Sequence, residues 1–343
     1  MKINKFKTHT LEKCYAIAPL RYNGQICILV AAEKVNKCLL FDVDGNIIDT
    51  VWEKPGGTMS MVQVPDTNGQ FLATQKFYSP NDAKEAEIVL VTPTDGKWQI
   101  RTIAHMPFVH RFDILTKNNK HYLIACTIKS QHHYKDDWEH PGEILVCELP
   151  KDLDTIESLE FTVIQDTLFK NHGYCKIQSK DQQEYALIGC ENGIYEVIPP
   201  DTKQDKWTVN QIINDPCSDM SLIDLDLDGT DEVVVISPFH GDQLKIYKKI
   251  KNHYEIVYTH NVSLPFAHAI WAGTLYNRNC AIIGHRQGNR DLLMLYYHNG
   301  YQVDILDQNI GPTNVFQYRK DTVECLVSAN REIDEVAFYA LHL

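Results

Sequence analysis

Long apolar runs are missing from the sequence: the best, Ile26 to Ala32, has seven residues, far short of the roughly 18 a membrane helix needs. No apolar stretch follows the lysines of the opening MKINKFKTHTLEK, so no secretory leader is read there. The expectation is a cytoplasmic protein without a membrane partner. Positive charge is also scarce. Lys plus Arg number 33 against 45 Asp plus Glu, a formal charge of −12. That is the wrong sign for nucleic acid, whose binders neutralise phosphates with Lys and Arg. The ten cysteines include no Cys-x-x-Cys pair, which excludes a Cys-rich zinc module. Most lie in apolar runs such as ICILV, YLIACT and ILVCEL, and are read as free buried thiols. A long amphipathic helical pattern is absent as well.

What the sequence does have is a repeat. A strand-like apolar run recurs as QICILVAAE, QFLATQK, HYLIACTIK, YALIGCEN, DEVVVISPF, CAIIGHRQ and ECLVSANRE. Each has a shorter run before it and β-branched or aromatic runs after it, with polar turns between. Taking Cys14, Met59, His110, His172, Met220, His268 and Asn314 as equivalent gives spacings of 45, 51, 62, 48, 48 and 46. The mean, 343/7 = 49, suits a four-stranded propeller blade. The predicted fold is therefore all-β: one seven-bladed β-propeller domain of antiparallel four-stranded blades. The blades fall at about 10–55, 56–106, 107–167, 168–215, 216–264, 265–311 and 312–343. The last unit has only three strands, so residues 1–9 are expected to supply its outer strand and close the ring. The third unit is long because SQHHYKDDWEHPG is inserted between its second and third strands. Long loops on a rigid scaffold are often functional.

Two constellations point to chemistry. In the fifth blade, Asp224, Asp226 and Asp228 stand at positions 1, 3 and 5, Gly229 at 6 and Glu232 at 9, with Thr230 between. Oxygen ligands at that spacing wrap a hard cation such as calcium or magnesium. An EF-hand is excluded, because position 12 is Val235 and strands rather than helices flank the loop. The alternative is a hairpin turn whose acids hold no ion. In either case the loop is expected to be structural. The second constellation appears when the repeats are aligned. The first strand of a blade lines the central channel, and three of its seven equivalent entry positions are His110, His172 and His268. Histidine is 15 of 343 residues, so chance would put about 0.3 there. Imidazoles around one axis form a ligand set for a divalent ion, zinc above others. A channel plugged by hydrogen-bonded polar side chains is the alternative. Around the channel, His133 and Tyr134 of the insertion, with His285 and Arg286, are candidates for proton transfer and oxyanion stabilisation. Lys129, Glu191 and Arg331 are candidates for substrate binding.

The segments VHRFDIL, NHGYCKI, the Asp224–Glu232 loop and AHAIWAG…IIGHRQGNRDL resemble the propeller of the aldos-2-ulose dehydratase (1,5-anhydro-D-fructose dehydratase) family, with one FG-GAP/VCBS-like blade. The resemblance spans about Val109 to Leu295. It implies a metal-dependent carbon–oxygen lyase acting on a small keto-sugar, with the metal carried onto His110, His172 and His268. The family's fungal enzyme is longer, with further domains that have no counterpart here. Two other readings stand beside it: a propeller-type polysaccharide lyase, and a non-catalytic carbohydrate- or protein-binding propeller.

Overall fold

The computed structural model describes residues 1–34, 37–179, 181–202 and 204–342. Its 28 strands, numbered β1 to β28 in chain order, form seven four-stranded antiparallel sheets. Two 3-10 turns are the only helical pieces among the described residues, and no helix is long and apolar enough to cross a membrane. The innermost strands are β2 (Cys14–Tyr22), β6 (Met61–Gln63), β10 (Val109–Lys117), β14 (Gly173–Gln178), β18 (Asp219–Ile223), β22 (Ala267–Leu275) and β26 (Asn314–Lys320). Each packs against the next, and β2 packs against β26, so the ring is closed.

Closure uses the N-terminus as expected. Strand β1 (Lys2–Thr10) pairs antiparallel with β28 (Glu335–His342), making the last blade β1-β28-β27-β26. Phe41 of the first blade meets Phe338 of the last, with ring centroids 5.3 Å apart. Gly45, at φ +73°, lets the turn before β5 (Ile47–Trp52) lie against that ring, where a Cβ would come within 2.9 Å of Phe338.

Local sequence explains the hairpins. Asn23–Gly24, Asp95–Gly96 and Asn118–Asn119 all have positive φ at both residues, the geometry of the tight two-residue turn whose twist matches the strands. The apolar runs of the repeat form the second strands, which are almost wholly buried between neighbouring blades. All ten cysteines are free, and only Cys175 is not fully buried. The insertion of the third blade lies between β11 (Lys120–Thr127) and β12 (Gly142–Glu148), where the spacing placed it.

Candidate functional site

One turn recurs where four innermost strands begin. Lys13, Phe108, Lys170 and Phe266 each adopt positive φ, and two residues later come Tyr15, His110, His172 and His268. In three of these blades the register slips at that point, between Cys14/Ala16, Val109/Arg111 and Ala267/Ala269. Tyr15, His110 and His268 are thus the extra residues of β-bulges, which re-aim a side chain out of the ladder. The bulge turns them toward the channel axis. It also corrects the alignment: the first-blade counterpart of His110 is Tyr15, not Cys14.

The rings converge. His110 and His172 have centroids 4.5 Å apart, and His172 lies 5.3 Å from His268. His240, from the loop between β19 (Glu232–Ser237) and β20 (Gln243–Ile250), completes the group, 4.9 Å from His172 and 5.5 Å from His268. Its φ of +48° is unusual for a residue with a side chain and marks a constrained position. Ligand atoms of His172, His240 and His268 all lie within 4.8 Å of one another. The structure therefore replaces His110 by His240 in the converging trio. His110 is stacked behind His172, and its buried Nδ1 has no hydrogen-bond partner.

Two tautomers are fixed. His172 Nδ1 lies 2.8 Å from the Ser218 carbonyl and His268 Nδ1 lies 2.8 Å from the Thr313 carbonyl. A carbonyl only accepts, so both Nδ1 atoms carry the proton and both Nε2 atoms are unprotonated acceptors. His172 Nε2 is 3.3 Å from His240 Nε2. His268 Nε2 accepts from the Tyr15 hydroxyl at 3.0 Å. Burial drives His172 down to about 3, aided by Arg111 and Arg286. Burial also holds His110, His240 and His268 well below the usual imidazole value, so the cluster is neutral at physiological pH. Burial pushes the Tyr15 phenol up to about 12.

Arg111, missed by the sequence reading although it follows His110, crosses the channel beneath the rings. Its guanidinium reaches the His172 carbonyl at 3.3 Å and Asp219 at 3.4 Å. Burial lifts Asp219 to about 6 against the pull of Arg111. On the other side Phe239 stacks on His240, with centroids 4.0 Å apart, and Trp138 packs on Phe239 at 5.2 Å.

Other expected positions are placed differently. The insertion reaches the histidines through Trp138, whereas His133 hydrogen-bonds Gln131 at 2.9 Å and Tyr134 is half exposed. Lys129 is fully buried, held by the Asp137 carbonyl and 4.0 Å above the Trp138 ring, so it organises the insertion and is not free for a ligand. Both His285 nitrogens are spent within its own turn, Nδ1 on Gln287 at 2.8 Å and Nε2 on the Asp291 amide at 3.1 Å. Arg286 pairs with Glu332 at 2.7 Å, while Arg331 pairs with Glu33 and with Glu332 at 3.0 Å. Glu191 faces Lys170 at 3.6 Å. These six groups, three cations and three carboxylates, form a rim on the histidine side of the ring with its charges cancelled.

In the fifth-blade loop the centre belongs to a side chain. Lys248 Nζ stands 2.7 Å from Asp226, 2.9 Å from Asp228 and 2.7 Å from Glu232. Burial works against its charge, yet the three carboxylates hold its pKa well above that of an ordinary lysine. Asp224 instead caps the turn, accepting from the amides of Asp228 at 3.1 Å and Gly229 at 2.9 Å. The Thr230 amide donates to Asp228 at 2.9 Å. An ion bound here would have to displace the ammonium.

No family model matches the chain, and no curated protein matches it. Among solved structures it is similar to the β-propeller domain of Cps50 (Swd1) from Myceliophteria thermophila, with a TM-score of 0.63 and 10% identity over 98% of this chain and 100% of that one. At that identity the likeness carries the fold and nothing of the function. The chain is a seven-bladed β-propeller.

Proposed function

We propose that the histidine cluster is a divalent-metal centre and that the protein is a metal-dependent carbon–oxygen lyase acting on a small keto-sugar. The observation that carries this reading is the pair of unprotonated Nε2 atoms on His172 and His268, fixed by their Nδ1–carbonyl bonds and joined by His240 within 4.8 Å; the Tyr15 hydroxyl that donates to His268 Nε2 would turn aside for an ion. A ring nitrogen oriented by a carbonyl behind it is the usual arrangement of a metal-bound histidine. Three neutral imidazoles leave a further position for a substrate oxygen. A bound zinc ion would supply the electrophile that acidifies a proton next to a carbonyl.

The chain's own residues suit the rest. His110 is neutral, buried and unpartnered at Nδ1, so it can take the proton from the substrate carbon. The β-hydroxyl then departs, takes that proton back from His110 and leaves as water. Charge cancellation at the rim among Arg286, Arg331, Glu33 and Glu332 favours a neutral polyhydroxylated substrate over a uronate. For that reason the keto-sugar reading ranks above the polysaccharide lyase.

The test is metal content and turnover together. After loading with zinc and dialysis, the protein should retain about one ion per chain, and His172→Ala or His240→Ala should retain none. With 1,5-anhydro-D-fructose the loaded protein should produce an absorbing enone, and either variant should lose at least about 100-fold in turnover. Equal zinc in all three proteins overturns the metal centre. Zinc without turnover on any keto-sugar moves the protein to the binding class.

A further inference from the structure

Beneath the histidines the channel opens into a cavity of about 410 Å³, bounded above by Arg111 and His268. A hollow of about 340 Å³ adjoins it at Ile17, Asp113 and Lys176 and runs toward Met61 and Gln63. Asp113 is two residues beyond Arg111 along β10, roughly 7 Å further from the metal cluster. This space is thus separate from the rim, and Arg111 divides the two.

Its walls differ. On the side of the third, fourth and fifth blades stand two cations and two carboxylates: Asp113 3.3 Å from Lys176, and Asp219 3.4 Å from Arg111. Both pairs are longer than a good charge-assisted bond of about 2.8 Å. The other Arg111 contacts, to the carbonyls of His172 at 3.3 Å and Met59 at 3.5 Å, are equally slack. Backbone groups hold these side chains in place: Asp113 accepts the Ile114 amide at 2.7 Å, Lys176 donates to the Ile114 carbonyl at 3.2 Å, and Asp219 accepts the amides of Tyr174 and Met220 at 3.2 and 3.0 Å. What remains for a ligand is the loosely held charge of each pair. The opposite wall carries Ile17, Ile270, Trp271 and Phe316, with Thr313 and Asn314 among them.

We propose that this cavity binds a zwitterionic α-amino acid with an apolar side chain. A lone anion would meet Asp113 and Asp219, and a lone cation would meet Arg111 and Lys176. A zwitterion satisfies both signs at once: its carboxylate takes donors from Arg111 and Lys176, and its ammonium donates to Asp113 and Asp219. The net charge of those four groups is zero, which matches a ligand of no net charge. The side chain covers the Trp271 and Phe316 wall. The volume is in the range of small-molecule sites. The inference is independent of the metal reading, because none of its charged groups is a ligand of the cluster.

The experiment is calorimetric titration of the full-length, EDTA-treated protein with L-phenylalanine, L-leucine, phenethylamine, 3-phenylpropionate and glucose. Saturable binding of an amino acid is expected, with phenethylamine and 3-phenylpropionate at least about 10-fold weaker because each leaves one pair of charges unmet. The double variant Asp113→Asn, Lys176→Met, which keeps the charge balance, should bind at least about 10-fold more weakly than the wild type. The ligand series is read on the unaltered protein and so stands whether or not that variant folds. Absence of amino-acid binding at about 10 mM, or glucose or a singly charged analogue binding as tightly, overturns the proposal. So does a folded double variant that binds like the wild type. None of these outcomes bears on zinc retention by His172 and His240, so failure here and failure of the lyase reading are distinguishable.

Discussion

Single residues decide what the fifth-blade loop is. Its acid spacing was legible as a cation site, but the ammonium among the acids was not, because Lys248 is 16 residues beyond Glu232 and reaches the loop only through the pairing of β19 with β20. Glu232 is fully buried, so removing Lys248 leaves a desolvated carboxylate beside two others. Lys248→Met should cost about 2 kcal/mol at pH 7 and lower the melting temperature by roughly 3 °C. Millimolar calcium should leave wild-type melting unchanged and restore part of the loss in the variant. A clear calcium-dependent rise in the wild type would return the loop to a calcium site. The histidine row shows the same limit. His110, His172 and His268 stood out by their spacing, but Tyr15 was read one position off, because a bulge adds a residue without changing the apolar pattern. His240 lies outside that row and was not assigned, since its aim depends on a backbone with φ of +48°.

At the scale of elements, seven units, their order and the place of the insertion were all legible, because buried second strands give runs that polar turns punctuate. Strand lengths were not. β6 has three residues where its counterpart β10 has nine, although the sequence around both reads as strand. The ring-closing role of the N-terminus followed from counting strands in the last unit. β1 is mostly exposed, with Phe6 6.3 Å from Phe338 and Lys5 bridging Asp307 at 2.9 Å and Glu335 at 3.1 Å. Its contribution is therefore more to cover an edge than to fill a core. Deleting residues 1–10 should lower the melting temperature and shift the gel-filtration peak to larger species than the full chain gives, because β28 would offer an unpaired edge. A truncated protein that elutes and melts like the full chain would show that β28 tolerates exposure.

For the whole molecule, the consequence of gathering His110, His172, His240 and His268 on one axis is a steep dependence of stability on pH. Their folded pKa values lie below the unfolded value of about 6.5, with His172 at about 3. Below pH 6.5 the unfolded chain therefore binds protons that the folded chain refuses, and stability falls as the pH drops. Asp219 acts in the opposite sense. At about 6 in the folded state and about 3.9 when unfolded, it holds a proton between those values that the unfolded chain lacks. The four imidazoles outnumber Asp219, so between pH 6.5 and 5 the unfolded chain is the net proton acceptor and stability falls as the pH drops. Urea midpoints of the metal-free protein should therefore drop sharply between pH 6.5 and 5. His110→Asn, which removes one refused proton, should reduce the slope by about 1.4 kcal/mol per pH unit. A flat profile in both proteins would mean that the folded cluster accepts protons, and so that water reaches the axis. Saturating zinc should raise the midpoint at pH 5 at least as much as at pH 7, because the folded imidazoles are already deprotonated at both, while protons at pH 5 block zinc only from the unfolded chain.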